Sequence, residues 1–366
     1  MIPIAKPYID DKEIKAVSDV LKSGTIAQGP KVSELEKIFA EFCGTNYAVA
    51  VNSGTAGLHT ALNSVGIKQG DEVITTPFTF IATANTILMR GAKPVFVDVQ
   101  EDTFNIDTKK IEQKITKKTK AILAVDLFGH LCDYDEINEV AKDSKLTVIS
   151  DACQAVGAEY KGKKAGSFGD IAAFSFYATK NITCGEGGAL TTNSKDYAEK
   201  ARLFRQHGRS NMIGYDYSNV GYNYRMTDIS AAILLEQFKK IEFITKKRIE
   251  NAAYLSMELG KIKGLRIPIV KKGHKHVFHQ YTIKVGNDFK LTRDELLKYL
   301  NNKGIGCSVY YPKPLHLCEH IKKLGYKKGD FPIAEKLSEQ VLSLPVHPHL
   351  TNKELNQITD AFKELK

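Results

Sequence analysis

One lysine stands where chemistry could be done. In SFYATKNITCGEGG, residues 175–188, Lys180 follows the apolar run DIAAFSFY, which reads as a buried strand with Ser175 near its end. Gly185, Gly187 and Gly188 then leave the backbone free to bend. A buried amine is costly unless it is paired or used. A used one can form a Schiff base with an aldehyde. Two other segments hold complementary groups. Asp151, in TVISDACQAVGA, falls where another buried strand ends. Open α/β sheets place their ligand crevice at that end, and a carboxylate there could hold a protonated ring nitrogen. Ser53-Gly54-Thr55-Ala56, in VNSGTAGLHTAL, joins a strand to a helix. A helix N-terminus offers unpaired N–H groups and a positive dipole end to an anion, and Thr55 adds a hydroxyl.

Each segment alone has a plainer reading: a surface lysine at a strand end, a turn aspartate, a Ser53 or Thr55 that only caps its helix. The stretch at Ser53 matches neither the dinucleotide nor the P-loop pattern, so a nucleoside triphosphate is not indicated. Taken together, in the order anion cradle, acid, amine, they are the three things that pyridoxal phosphate requires of a protein.

Such groups need a scaffold. YAVAV, DEVITT, PVFVDV, AILAVDLF and TVISD read as strands, and SGTAGLHTALNSVG, TFIATANTILMRG and YDEINEVAKDS as helices between them. IEQKI reads as the start of another helix, and DIAAFSFY and GALTT as strands. Apolar strands alternating with helices predict a mainly parallel sheet covered on both faces. Ahead of it, Ile14, Val17 and Leu21 predict one apolar helical stripe, and Val32, Leu35, Phe39 and Phe42 a second. From about residue 226 the pattern changes. A long helical stretch near 228–259 reads as the hinge, followed by short strands such as HQYTIKV and CSVYY mixed with helices. The expected division is a large cofactor domain, 1–245, and a smaller α+β domain, 246–366.

Composition narrows the class. With 43% hydrophobic and 26% charged residues over 366 positions, the chain is an ordinary globular one. No apolar run approaches membrane-spanning length, and the first residues do not form a signal peptide. Six scattered cysteines without a C-x-x-C pair predict free thiols in a reducing cytoplasm, not a disulfide framework or a zinc site. The formal charge of +10 is spread over lysines that are not interleaved with aromatics, which argues for solvated helix faces over a nucleic-acid surface. HKHVFH, 274–279, offers three histidines but no carboxylate or cysteine to complete a metal set, and reads as a strand or turn of the small domain.

GTIAQGPKVSELE, VNSGTAGLHTAL, PFTFIATAN, SDACQAVGA, FSFYATKNITCGEGGAL and VGYNYRMTDISAAI, in that order, resemble successive motifs of the DegT/StrS family. These are pyridoxal-phosphate aminotransferases of nucleotide-linked keto sugars. The likeness runs from the first residue to SLPVHPHLT. It implies the α/β fold of the aspartate-aminotransferase type, fold type I among these enzymes. It further implies that Lys180 holds the cofactor covalently, Asp151 faces the pyridine nitrogen, Gln154 lies close to the ring and Phe80 stacks on it. Phe80 also has a plainer reading, a core phenylalanine at a helix start. Thr55, Ala56 and Ser175 match phosphate contacts. Asn223 matches a phosphate contact given by a neighbouring subunit, hence a homodimer with shared sites. His316 resembles a segment bordering the sugar pocket. Two positions depart from the family: Cys184 stands where threonine is frequent, with a local effect expected, and Thr25 where a large aromatic is frequent near the sugar.

The expected activity is transfer of an amino group from glutamate to a UDP- or dTDP-linked sugar, foremost a 4-keto-6-deoxyhexose. A 3-keto sugar or a uronate is the alternative. A dehydratase of the same family would carry histidine in place of Lys180, and a non-catalytic regulator would have lost Lys180 or Asp151.

Overall fold

The computed structural model describes residues 1–210 and 215–365. The central sheet has seven strands: β1 (Tyr47–Val51), β2 (Glu72–Thr75), β3 (Lys93–Phe96), β4 (Thr119–Val125), β5 (Thr147–Asp151), β8 (Ile171–Ser175) and β9 (Gly188–Thr192). Between β5 and β8 lie the two-residue strands β6 (Glu159–Tyr160) and β7 (Lys163–Lys164). The order across the sheet is β1-β9-β8-β5-β4-β2-β3. β3, β2, β4, β5 and β8 run parallel, and β9 is antiparallel to both of its neighbours. Strands such as TKAILAV are apolar on both faces because helices cover both.

On one face α2 (Pro30–Cys43) packs Val32, Leu35 and Phe39 into a core shared with α5 (Tyr134–Ser144) and α7 (Asp228–Phe238). On the other, α3 (Gly54–Ser64), α4 (Ala82–Met89) and α6 (Lys195–Arg205) bury Leu58, Leu62, Ile87 and Ala201. The predicted second stripe is therefore a core face. The first is not: in α1 (Asp11–Ser23), Ile14 and Leu21 are 64% and 55% exposed. The side turned to α7 instead buries Glu13, whose carboxylate takes Lys240 Nζ at 2.7 Å and Gln237 Nε2 at 2.6 Å. An ionic pair in a buried seam overrides the apolar periodicity.

The smaller body has a three-stranded sheet, β10 (Leu265–Arg266), β12 (Tyr281–Val285) and β13 (Val341–Leu344), in the order β10-β12-β13. Its core takes Leu255 and Leu259 from α8 (Ile241–Leu259), Leu296 and Leu300 from α9 (Arg293–Asn302), and Ile358 and Phe362 from α12 (Asn352–Lys363). Ile2 joins that core and bridges to Ile305, so the chain's first residues pack with its last third.

The long helix expected near 228–259 is two helices, α7 and α8, parted at Lys239–Lys240. α8 starts in the large core with Ile241 and Ile244 and ends in the small one, spanning the expected boundary at 245. CSVYY makes only a bridge, Ser308 to Ser343, and IEQKI only a 3-10 turn, Glu112–Lys114. The HKHVFH segment does not belong to the small sheet: β11 (His274–Lys275) pairs with β6 in a second three-stranded sheet, β11-β6-β7. The short α10 (Glu319–Lys322) and α11 (Pro332–Gln340) bury Ile321 and Leu337 against the large body. All six cysteines are free. Among the described residues no helix is long and apolar enough to cross a membrane, and no group of three or more His, Cys, Asp or Glu could hold a metal ion.

Candidate active site

β5 ends on Asp151 and β8 on Ser175, adjacent in the sheet, and both point their carboxyl ends into one cavity of about 360 Å³. Thr55, Phe80, Asp151, Gln154, Ser175 and Lys180 all line it, although they come from four separate stretches of chain. The small body closes it with His279, Gln280, Tyr310 and Tyr311.

Asp151 is 5% exposed. Its Oδ2 accepts from Thr83 Oγ1 at 2.8 Å and its Oδ1 from the Cys153 N–H at 3.3 Å. Burial raises its pKa; the bonds from Thr83 and Cys153 and the nearby Lys180 oppose that rise. Lys180 does not end the strand but lies in the turn after it, with its N–H bonded to the Tyr177 carbonyl at 2.8 Å. The side chain is half-buried at the cavity wall. Burial lowers its pKa, and Cys153 and Asp151 partly offset this. Acid and amine therefore both shift toward neutrality in the free protein.

Ser53 caps α3, accepting the Ala56 N–H at 3.1 Å. That commits the Ala56 amide to the cap, and Ala56 is buried behind the cavity wall instead of lining it. Thr55, one residue earlier, is exposed to the cavity. Gly54 has a steric reason to be glycine. A Cβ there would stand 2.7 Å from Ser175 Cβ and 3.1 Å from Cys153 Sγ. Only without it can the α3 N-terminus sit against Ser175, leaving a cradle of hydroxyls and helix-end amides sized for an oxyanion.

Phe80 is 57% exposed at the cavity, which rules out the core reading. Asn223 is exposed and does not line this chain's cavity; its carbonyl accepts from Asn52 Nδ2 at 3.2 Å. His316, expected at the sugar pocket, is fully buried elsewhere, its Nε2 3.0 Å from Glu335 Oε1 and its ring edge-on to Phe331. Thr25 is exposed and is not a lining residue either. Cys184 is buried with Sγ 3.3 Å from the Glu186 carbonyl, a contact that a threonine hydroxyl could also make. Thr83, His279, Gln280, Tyr310 and Tyr311 were not singled out by sequence. Thr83 lies in PFTFIATAN, one turn after Phe80, and Tyr311 ends CSVYY.

An amine, an acid and an oxyanion cradle around a cavity at the carboxyl edge of a mainly parallel sheet define a pyridoxal-phosphate-dependent aminotransferase of fold type I. The donor set fits that cofactor. The chain belongs to the DegT/DnrJ/EryC1/StrS aminotransferase family, whose profile matches residues 7–363. It is 41% identical to the GDP-perosamine synthase of Caulobacter vibrioides, over 100% of this chain and 98% of that protein. It is 40% identical to the spore coat polysaccharide biosynthesis protein SpsC of Bacillus subtilis, over 100% of this chain and 97% of the other. Among solved structures it is similar to Spr1654 from Streptococcus pneumoniae in its PLP form, with TM-score 0.94, 32% identity, and coverage of 100% of this chain and 98% of that one. The protein is a sugar aminotransferase of that family.

Proposed function

We propose that the protein moves an amino group from glutamate to the keto group of a nucleotide-linked 4-keto-6-deoxyhexose. The observation that supports this best is one cavity lined together by Lys180, Asp151 and the Thr55–Ser175 cradle. Bound pyridoxal phosphate supplies an aldehyde and an electron-withdrawing ring, through which an amino group can be taken from one substrate and given to another. Lys180 would hold that aldehyde, and burial, which lowers the amine's pKa, would suit Nζ to carrying a proton to and from the donor's α-carbon. Asp151, fixed by Thr83 and Cys153, holds the ring N–H⁺ through a charge-assisted hydrogen bond. Thr55 and Ser175 bind the phosphate, with Ala56 keeping the Ser53 cap in place. Phe80 would cover a ring face, and Gln154 would lie at the ring's edge. Asp151 and Lys180 are both present, so the chain retains what a regulator would lack.

Asn223 serves a second copy of the chain, and the working unit is a homodimer with shared sites. Exposed apolar side chains support this: Ile14 and Leu21 find no cover in a single chain. The domain boundary falls within α8, and free cysteines suit a reducing cytoplasm. The name GDP-perosamine synthase adds a guanosine diphosphate sugar to the UDP and dTDP candidates, and the name of SpsC supports a polysaccharide destination. The test is incubation of the purified protein with glutamate and a panel of 4-keto and 3-keto sugars, including a uronate, on UDP, dTDP and GDP, following 2-oxoglutarate. Turnover with a 4-keto-6-deoxy sugar is expected; turnover confined to 3-keto sugars or the uronate contradicts the proposal.

A further inference from the structure

Gln154 lines the cavity with its amide fixed at both ends. Its Oε1 accepts from the Phe128 backbone N–H at 2.9 Å, and its Nε2 donates to the Tyr311 phenol oxygen at 2.8 Å. An amide has two N–H groups, so one remains for the cavity shared with Asp151 and Lys180. Without Tyr311, the Phe128 bond alone would hold the amide.

Tyr311 reaches this place from the small body. Its loop is tied at one end to β13, where Ser308 and Ser343 exchange backbone bonds at 3.2 and 2.8 Å. At the other, the Leu315 N–H donates to the Pro77 carbonyl of the large body at 2.7 Å. Both residues that grip Gln154 have left-handed backbones, φ +57° at Phe128 and +65° at Tyr311. That conformation is unfavourable for an aromatic residue and persists where its surroundings determine it. Here the two rings stack at 6.1 Å with 15° between planes, and Phe78 meets Tyr311 edge-on at 5.8 Å. Burial and nearby Asp151 hold the phenol protonated. The oxygen can therefore accept from Gln154 while its own proton remains to be donated.

We infer that Tyr311 is a positioning residue whose hydroxyl, acting through Gln154, sets the hydrogen bonding at the cofactor ring and makes the seating of the small domain felt there. The inference rests on the placing of Gln154 at the ring edge. A purely structural tyrosine would need its ring and not its hydroxyl.

The test compares holoenzyme carrying Tyr311→Phe, Gln154→Ala and both, each checked for wild-type circular dichroism. Three quantities are read: the visible absorption of the bound cofactor at one fixed pH, the cofactor dissociation constant, and kcat and KM for the glutamate half-reaction. Tyr311→Phe is expected to move the absorption band and lower kcat roughly tenfold with KM within about threefold, the pattern of a lost hydrogen bond that matters mainly after substrate has bound. The double variant is expected to match Gln154→Ala, because the inferred action of the hydroxyl runs through the Gln154 amide and not directly into the cavity that Tyr311 also lines. A changed spectrum in Gln154→Ala with a wild-type spectrum in Tyr311→Phe overturns the role of Tyr311 alone, as does additivity in the double variant. A wild-type spectrum in both overturns the placing of Gln154 as well.

Discussion

At the scale of single residues, the proposed roles of Lys180 and Asp151 differ, and their substitutions should fail differently. Lys180→Ala removes both the covalent hold and the proton carrier, so the rate should fall by at least the ~10²–10⁴-fold that a positioned general base supplies. Cofactor should still bind non-covalently in the cradle, which dialysis against free cofactor would measure. Asp151→Asn keeps the shape and the Thr83 contact but loses the charge on the ring nitrogen. Its kcat should fall roughly 10²-fold or more with cofactor still attached to Lys180, a separation seen by comparing absorption with turnover. These two residues were legible because each had a chemical partner to complete. Tyr311 and Thr83 were not, since a hydroxyl that fixes another polar side chain has no sequence pattern of its own. His316 misled because a motif histidine next to prolines resembles a pocket residue, while the fold spends it on Glu335 and Phe331.

At the scale of elements, one helix end shapes the site and another holds the fold. Gly54→Ala should push the α3 N-terminus off Ser175, since its Cβ would stand 2.7 Å from that side chain. The expected result is cofactor affinity at least tenfold weaker with the fold retained, measured by titrating apoenzyme. At the start of α2, the Asp228 carboxylate accepts from the N–H groups of Gly29, Lys31 and Val32 at 2.8, 3.0 and 3.0 Å, although it lies about two hundred positions away. Asp228→Ala should cost about 2–3 kcal/mol, as three orphan amides at a helix start lose a charged acceptor, and denaturant unfolding would read it. The sheet was legible because strands covered on both faces are apolar throughout. α1 was not, because its buried side is ionic: Glu13 to Lys240 carries the contact that Ile14 and Leu21 were expected to make. CSVYY reads as a strand by composition, yet its backbone makes a single bridge and then turns at Tyr311.

At the scale of the whole molecule, buried histidines tie stability to pH. Burial lowers the pKa of His59, His130 and His347 to about 4 each, with Arg90, His274 and Arg248 respectively the next contributors. Unfolded chains would titrate these near the ordinary histidine value of about 6.5. The unfolded state therefore binds more protons between those values. Stability is fully present above about 6.5 and is lost as pH falls toward about 4, so the melting temperature should drop through that window. His59→Gln should flatten the dependence; an unchanged slope would contradict the assignment. The overall architecture was legible from strand–helix alternation and motif order. The way the small body reaches back was not, because HKHVFH pairs with β6 and the Tyr311 loop anchors on Pro77, contacts separated by more than a hundred residues. The central claim is that Lys180 carries the cofactor, and the most direct measurement is borohydride reduction of the purified yellow protein followed by peptide mapping. A stable adduct on Lys180, absent in Lys180→Ala, is predicted; no adduct, or an adduct on another lysine, would contradict it.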